Sequence, residues 1–422
     1  MRARAAIPND QLPRPDYTLL SVAVLLLGLG LVMVMSTTIT AADRQLGQPF
    51  YYLLRQTTYL GVGLAIALGV SSMRLVYWER LGPVLLMAGL VLLVLVLIPG
   101  IGKEVNGSHR WLALGPVKFQ PSELVKLIVV VYLAGYLVRH GEVALGRPVP
   151  ATLGRPCPSQ LRTTITGFLA PMGLVALIAV LLLMEPDFGA AVVITATALG
   201  LMFLGGVRWW LFGMLIALAG AALGVLAFAA PYRLERLTAF LNPWADPFNS
   251  GFQLTQALIA FGRGEWWGVG LGASIQKLFY LPEAHTDFLF AVLAEELGLA
   301  GAMAVILLFA LLVWRAFALG RRAELAGHRF AAYLAYGLGL WIALQSFINI
   351  GVNMGLLPTK GLTLPLLSYG GSSLVVSCIA LALLWRIDYE LRESPRLRVR
   401  WAPVAPGRPV PSETSRLEAR SL

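Results

Sequence analysis

The sequence predicts an all-α polytopic membrane protein of about ten transmembrane helices. Three observations carry that expectation. Only 13% of the 422 residues are charged, about half the share usual in soluble domains. Hydrophobic residues make up 58%, and the mean hydropathy is +0.74. The apolar residues are gathered into runs close to the roughly 20 residues needed to cross a bilayer as helix.

Taken in order, the runs fall at about 17–38, 57–72, 81–98, 121–138, 164–184, 187–205, 208–230, 286–314, 330–355 and 366–387. The second is short and the eighth long. They define one membrane domain over 17–388, preceded by an N-terminal tail, 1–16. A Pro- and Arg-rich tail follows at 389–422; it lacks apolar periodicity, reads as disordered and suits anionic lipid. The first run is long enough to remain as an anchor, so no cleaved signal is expected.

Orientation follows from basic residues. With the N-terminus in the cytoplasm, 22 of the 33 Lys and Arg fall in inner segments and 10 in outer ones, with Lys126 inside a span. That bias puts both termini inside, as an even number of spans requires. The net charge of +11 is therefore a topology signal. Its arginines are dispersed over short loops, which gives no case for nucleic acid. Cys157 and Cys378 lie in different regions, and no disulfide is expected.

Two outer segments are long. One is 99–120, PGIGKEVNGSHRWLALGPVKFQ. The other, about 231–285, joins spans seven and eight and holds Trp244, Phe248, Phe252, Trp266, Trp267, Phe279 and Tyr280. That is too aromatic for disorder, and Trp and Tyr favour the headgroup level. Within it, GFQLTQALIAFGRG has the pattern of a short amphipathic helix. The glycine-rich GRGEWWGVGLG, 262–272, is a poor phosphate cradle because no strand precedes it; bends in an outer loop explain it better.

The charges at the outer face are the candidates for chemistry. Asp287, in LPEAHTDFLFAVLAEE, stands at the mouth of the eighth span. It reads either as a first-turn acid favoured by the helix dipole or as a functional carboxylate at a site where charge is costly. Glu123 and Lys126 share one helix face, either as a local ion pair or beside a cavity. Asp187, in Glu185-Pro186-Asp187, suits a helix start and is also a candidate partner for Lys126. Lys360 lies in a Pro- and Gly-broken stretch, NMGLLPTKGLTLPLLSYGGSS, of the kind tolerated at membrane depth only beside protein or water. All five lysines lie in outer segments or, for Lys126, near the outer face. The four histidines form no metal-ligand spacing.

The strings GSHRWLALGPVKFQPSELVKL (107–127), EPDFG (185–189), LPEAHTDFLFAVLAEELG (281–298) and NMGLLPTKGLTLPLLSYGGSS (353–373), in that order, resemble the SEDS family of peptidoglycan glycosyltransferases. The resemblance covers nearly all ten spans. PTKG at 358–361 and FLNPWADPFNSGFQLTQALIAFGRGEWWGVGLG resemble the division branch more than the elongation branch, which typically has Val-Thr where this chain has Thr359-Lys360.

The resemblance implies a SEDS-type bundle that polymerises lipid II, an undecaprenyl-diphosphate-linked disaccharide pentapeptide, at the division septum. It implies Asp287 as the catalytic base, and Glu123, Lys126 and Asp187 as a polar network around a central cavity. Arg55 and Arg110 match cationic positions near the substrate. The reaction inverts an α-diphosphate to a β-1,4 bond, so it needs a base at the attacking hydroxyl and positive charge at the departing diphosphate. Arg55, Arg110, Lys126 and Lys360 are the candidates for that charge, with Mg²⁺ or another divalent cation as a candidate cofactor. The implied partners are a class B penicillin-binding transpeptidase, other divisome membrane proteins and membrane lipids. The implied location is the bacterial inner membrane, with the site facing the periplasm. The rival class is a lipid II flippase, which needs polar groups across the whole bilayer; here they collect in the outer half. A pure division scaffold explains neither Asp287 nor Lys126.

Overall fold

The structure is a computed structural model that describes residues 15–105, 108–114, 117–144, 160–207, 210, 213, 240–249, 251–278, 280–358 and 361–393. Ten α-helices and one small sheet lie among them: α1 (Tyr17–Leu46), α2 (Tyr51–Ser72), α3 (Leu75–Leu97), β1 (Gly102–Val105), β2 (Ser108–Leu114), β3 (Val117–Phe119), α4 (Pro121–Ala144), α5 (Gln160–Met184), α6 (Phe188–Leu204), α7 (Phe252–Gly264), α8 (Leu289–Leu325), α9 (Arg329–Asn353) and α10 (Gly371–Glu393). Seven of these helices are long and apolar enough to cross a membrane by length and composition. Of the expected span at 208–230 only residues 210 and 213 are described, and Lys360 lies outside the described residues.

Helix ends extend past the apolar runs because caps, not hydropathy, set them. Asp16 caps α1 by accepting from Leu19 N at 3.2 Å, and Gly47, in the left-handed conformation, closes its far end against Asp43 O. The last helix runs on to Glu393, past the 388 at which apolarity ends. Asp388 on its final turns is buried and paired with Arg392 at 3.0 Å. Asp16 accepts from Arg315 at 2.5 Å, and its amide donates to Asp388 at 3.2 Å. One polar knot thus ties α1, α8 and α10 at the end of the bundle opposite the sheet.

The segment 99–120, expected at the outer face, differs from the all-helical expectation. It is a three-stranded antiparallel sheet in the order β1-β2-β3, with Lys103 opposite Trp111 and Leu112 opposite Phe119. The dipeptide between the first two strands is Asn106-Gly107, the strongest short hairpin signal. In so apolar a chain it reads as part of a connecting loop.

Packing sorts the helices into two groups. One core gathers α8, α9 and α10 with parts of α1 and α4; the other gathers α3 to α6. α4 is almost wholly buried, which makes its polar residues internal. α2 and α3 are joined by two residues, yet α2 packs on α10 and α1 while α3 packs on α4. The two make next to no contact with each other and splay from their junction. Both carry exposed apolar side chains, among them Leu68, Val84 and Met87, as a lipid-facing surface does.

The long segment before α8 is ordered by an insertion into that helix. Gly298 has φ 69°, which breaks the helical bonding. Val269 N and Gly270 N donate to the carbonyls of Glu295 and Glu296 at 3.0 and 3.1 Å, while Leu299 N and Ala300 N donate to Glu265 O and Trp266 O at 2.9 and 3.1 Å. The side chains of the same two glutamates seal the joint. Glu295 pairs with Arg263 at 2.8 Å, and Glu296 pairs with Lys277 at 2.7 Å and accepts from Ser36 at 2.7 Å.

A Cβ on Gly298 would stand 2.3 Å from Gly268 N, besides forcing an L-residue into the left-handed region. Gly298→Ala is expected to lower the thermal midpoint by several degrees and to expose 265–280 to protease. An unchanged digestion pattern would contradict this account of the joint.

Candidate functional site

At the sheet end, three chain segments bring four carboxylates together. α4 supplies Glu123, the α5–α6 turn supplies Glu185 and Asp187, and the turn before α8 supplies Asp287. The first turn of α4 holds Ser122, whose hydroxyl donates to Asp187 Oδ2 at 2.8 Å. Gln120 Nε2 donates to the same oxygen at 3.2 Å. Asp187 also caps α6 through Ala190 N at 3.2 Å. Its carboxylate is thus satisfied without Lys126.

Lys126 is fully buried and pairs with Glu123 at 2.8 Å. It donates to Gln345 Oε1 at 2.8 Å and lies 5.8 Å from the Trp341 ring centroid. Trp341 Nε1 donates to the same Gln345 oxygen at 2.8 Å, and Gln345 Nε2 donates to Thr363 O at 2.9 Å. The network therefore runs from α4 through α9 to the broken stretch before α10. Glu123 and Lys126 meet directly, whereas Asp187 bonds to Ser122 and Gln120 and makes no ion pair with Lys126 among the described residues.

Asp287 is half-buried, and its main chain is fixed from α9. Asn349 Nδ2 and Asn353 Nδ2 both donate to Asp287 O at 2.9 Å. Asn353 Oδ1 accepts from Ala291 N at 3.1 Å, serving the first turn of α8. The two asparagines are one turn apart and so share a face. Among the described residues no hydrogen bond is made to the Asp287 carboxylate. A Cβ built on Gly361 would lie 3.2 Å from Asp287 Oδ2 and 3.9 Å from Arg110 Nη1. The acid and the guanidinium therefore flank Gly361 and lie no further apart than those two distances combined. Burial, then Glu283, pushes the Asp287 carboxyl up to about 7, with Arg110 pulling it back.

Arg110 is carried by β2. Its Nε donates to Glu185 O at 3.1 Å, and its Nη2 donates to Pro186 O. Arg55, on α2, is held by the hydroxyls of Tyr51 and Tyr59 at 3.0 and 2.8 Å. Its helix is linked to the turn that carries Asp287. The link is aromatic: Tyr52, His285 and Tyr369 pack together, and Tyr369 N donates to His285 O at 2.9 Å. Among the described residues no three His, Cys, Asp or Glu side chains are placed to hold a metal ion, so no step is assigned to one.

A family described as a cell cycle protein family, FtsW/RodA/SpoVE, matches residues 17–393. The chain belongs to the FtsW/RodA/SpoVE family. Within it, the chain is 62% identical over 380 residues to the probable peptidoglycan glycosyltransferase FtsW of Nitrosococcus halophilus, covering 90% of this chain and 94% of that one. A solved chain from a peptidoglycan synthase complex that coordinates polymerization and crosslinking matches with TM-score 0.70 and 29% identity, covering 89% of this chain and 98% of its own. The rod shape determining protein RodA of Thermus thermophilus matches with TM-score 0.63 and 27% identity over 89% and 97%. The multi-pass helical bundle is thus the fold of the FtsW/RodA/SpoVE family.

Sequence reasoning passed over Asn349, Asn353, Gln345, Trp341 and Ser122. The asparagines had a legible signal, two amides one turn apart in an apolar helix. Their target, 62 and 66 residues away in sequence, had none. Asn349→Ala removes one of the two donors to Asp287 O and also the Asn349 Nδ2 donor to the buried Leu362 O. A cost of about 1–3 kcal/mol is expected, with a larger loss in kcat than in KM for polymerisation. Equal stability and unchanged kcat would show that the clamp positions nothing.

Proposed function

We infer that the chain is a peptidoglycan glycosyltransferase that polymerises lipid II, with Asp287 as the base of an inverting transfer. The observation that carries this reading is the pair flanking Gly361: a carboxylate with raised proton affinity and a guanidinium anchored by main-chain carbonyls. The 4-hydroxyl of one GlcNAc attacks C1 of the MurNAc on a second lipid II. The C1–O bond to the diphosphate breaks, the hydroxyl proton passes to Asp287, and undecaprenyl diphosphate leaves with its charge facing Arg110. Inversion at C1 turns the α-diphosphate into a β-1,4 link. A base with pKa about 7 is well matched to work near neutral pH.

The high identity to FtsW glycosyltransferases supports the reaction class. The splay of α2 from α3 supports a lipid-linked substrate, because it offers a lateral way in for polyprenyl tails. Arg55 and Lys360 are assigned to the diphosphate with Arg110. Lys126, paired with Glu123, is assigned to holding the α4–α9 network. The basic-residue bias supports a bacterial inner-membrane protein with both termini in the cytoplasm and the sheet end in the periplasm. The solved relative works in a complex that couples polymerization to crosslinking. On that ground the partner is a penicillin-binding transpeptidase, and the likeness to the division branch, with 62% identity to an FtsW relative, supports the septum as the site of action.

The deciding experiment uses the purified complex with the partner's active serine blocked. Glycan made from lipid II in detergent, where there are no two leaflets to cross, supports polymerisation. No glycan in detergent, together with movement of labelled lipid II between leaflets of sealed vesicles, would favour the flippase.

A further inference from the structure

Glu185 is fully buried, and neither carboxylate oxygen has a hydrogen-bond partner among the described residues. Buried polar groups are nearly always paired, and a lone buried charge is far costlier than a neutral acid. Two charged groups face it. Asp187, two residues on, is a carboxylate already satisfied by Ser122, Gln120 and Ala190 N. Arg110, from β2, turns its Nε and Nη2 to the main-chain carbonyls of Glu185 and Pro186 rather than to the Glu185 carboxyl. Elsewhere in the cluster, Glu123 and Lys126 on α4 are paired to each other, and Asp287 lies beyond Arg110.

We propose that Glu185 is a positioning residue that works as an uncharged carboxylic acid, leaving the charge of Arg110 directed at the substrate, and that its ionisation switches the site off. The proposal rests on the reading of Arg110 as a diphosphate-binding cation. Burial first, and the repulsion of Asp187 second, raise the Glu185 carboxyl to about 8 against the pull of Arg110. Above that pH the cation that acts on a newly formed carboxylate, among the described residues, is Arg110. The pair would draw the guanidinium off its two carbonyls and cancel the charge that the departing diphosphate needs.

The test is Glu185→Gln in the purified complex, because Gln keeps the shape and stays neutral at every pH. Wild-type kcat/KM for lipid II is expected to fall above about pH 8. In E185Q that alkaline fall should disappear or move up by more than one pH unit, with the acid side of the profile unmoved. An E185Q alkaline limb that coincides with the wild type, or a folded E185Q without activity at pH 7, would overturn the proposal.

Thermal melting tests protonation independently of the reaction. An acid whose folded pKa is raised adds stability that is fully present below its unfolded pKa and is lost as pH rises through the folded value. The midpoint of E185Q minus that of wild type should therefore grow between about pH 5 and pH 8. A flat difference overturns the proposal even if lipid II proves not to be the substrate. Should E185Q fail to fold, Asp287→Asn protein serves instead. In it, a protonated-carboxyl infrared band present at pH 7 and lost above about pH 8 supports the proposal, and its absence at pH 7 overturns it.

Discussion

Asp287→Asn is expected to lower lipid II polymerisation by at least 10²-fold, the lower end of what a general base contributes, while the protein still folds and inserts. The substitution keeps the side-chain shape and leaves the main-chain clamp from Asn349 and Asn353 in place. It removes only the capacity to take a proton. A rate above a tenth of wild type would remove Asp287 from the role of base. The wild-type profile carries a second expectation. The base acts only when ionised, and its carboxyl is raised to about 7 by burial and by Glu283. The rate should therefore fall about tenfold per pH unit below 7. A profile flat down to pH 5 would place the base elsewhere.

Lys126→Ala is expected to be the most damaging change to stability in the site. It leaves Glu123 as a buried charge with no partner, a loss of roughly 3–5 kcal/mol. Gln345 also loses one of its two donors, and the Trp341 ring loses its cation. Activity should fall with stability, so a second variant separates the two effects. Replacing both Glu123 and Lys126 with apolar residues of similar volume should restore most of the thermal midpoint, because an apolar pair avoids the desolvation of two charges. If the double variant melts near wild type yet does not polymerise, the pair acts in the reaction beyond holding the bundle. If it also polymerises, the pair is a structural tie alone.

Much of the architecture was legible because membrane helices are specified locally. A run of apolar residues and a helix-start signal such as Glu185-Pro186-Asp187 each act within one or two turns. The short amphipathic helix expected in the long loop is α7, read from its own spacing. The sheet at 102–119 was missed for the converse reason. Its strands are short, and their pairing outweighs a hydropathy window that averages over them. The helix ends were misjudged where capping or burial of a charge carried the helix past its apolar run, as at Asp388.

The sequence by itself determined the number and order of apolar runs, the lysines and acids at one end of them, and the branch of the family. These are properties of windows a few residues wide. Only the tertiary structure decided which groups meet. It put Arg110 on a strand beside an acid from the turn before α8, gave Asp287 its two asparagine donors, and satisfied Asp187 through Ser122 while Glu185 stayed unpaired among the described residues. It also parted α2 from α3, although two residues join them. The reason is physical: proton affinity and charge pairing depend on distances of a few ångströms between segments 60 to 370 residues apart. Packing sets those distances, and no local pattern in the chain records them.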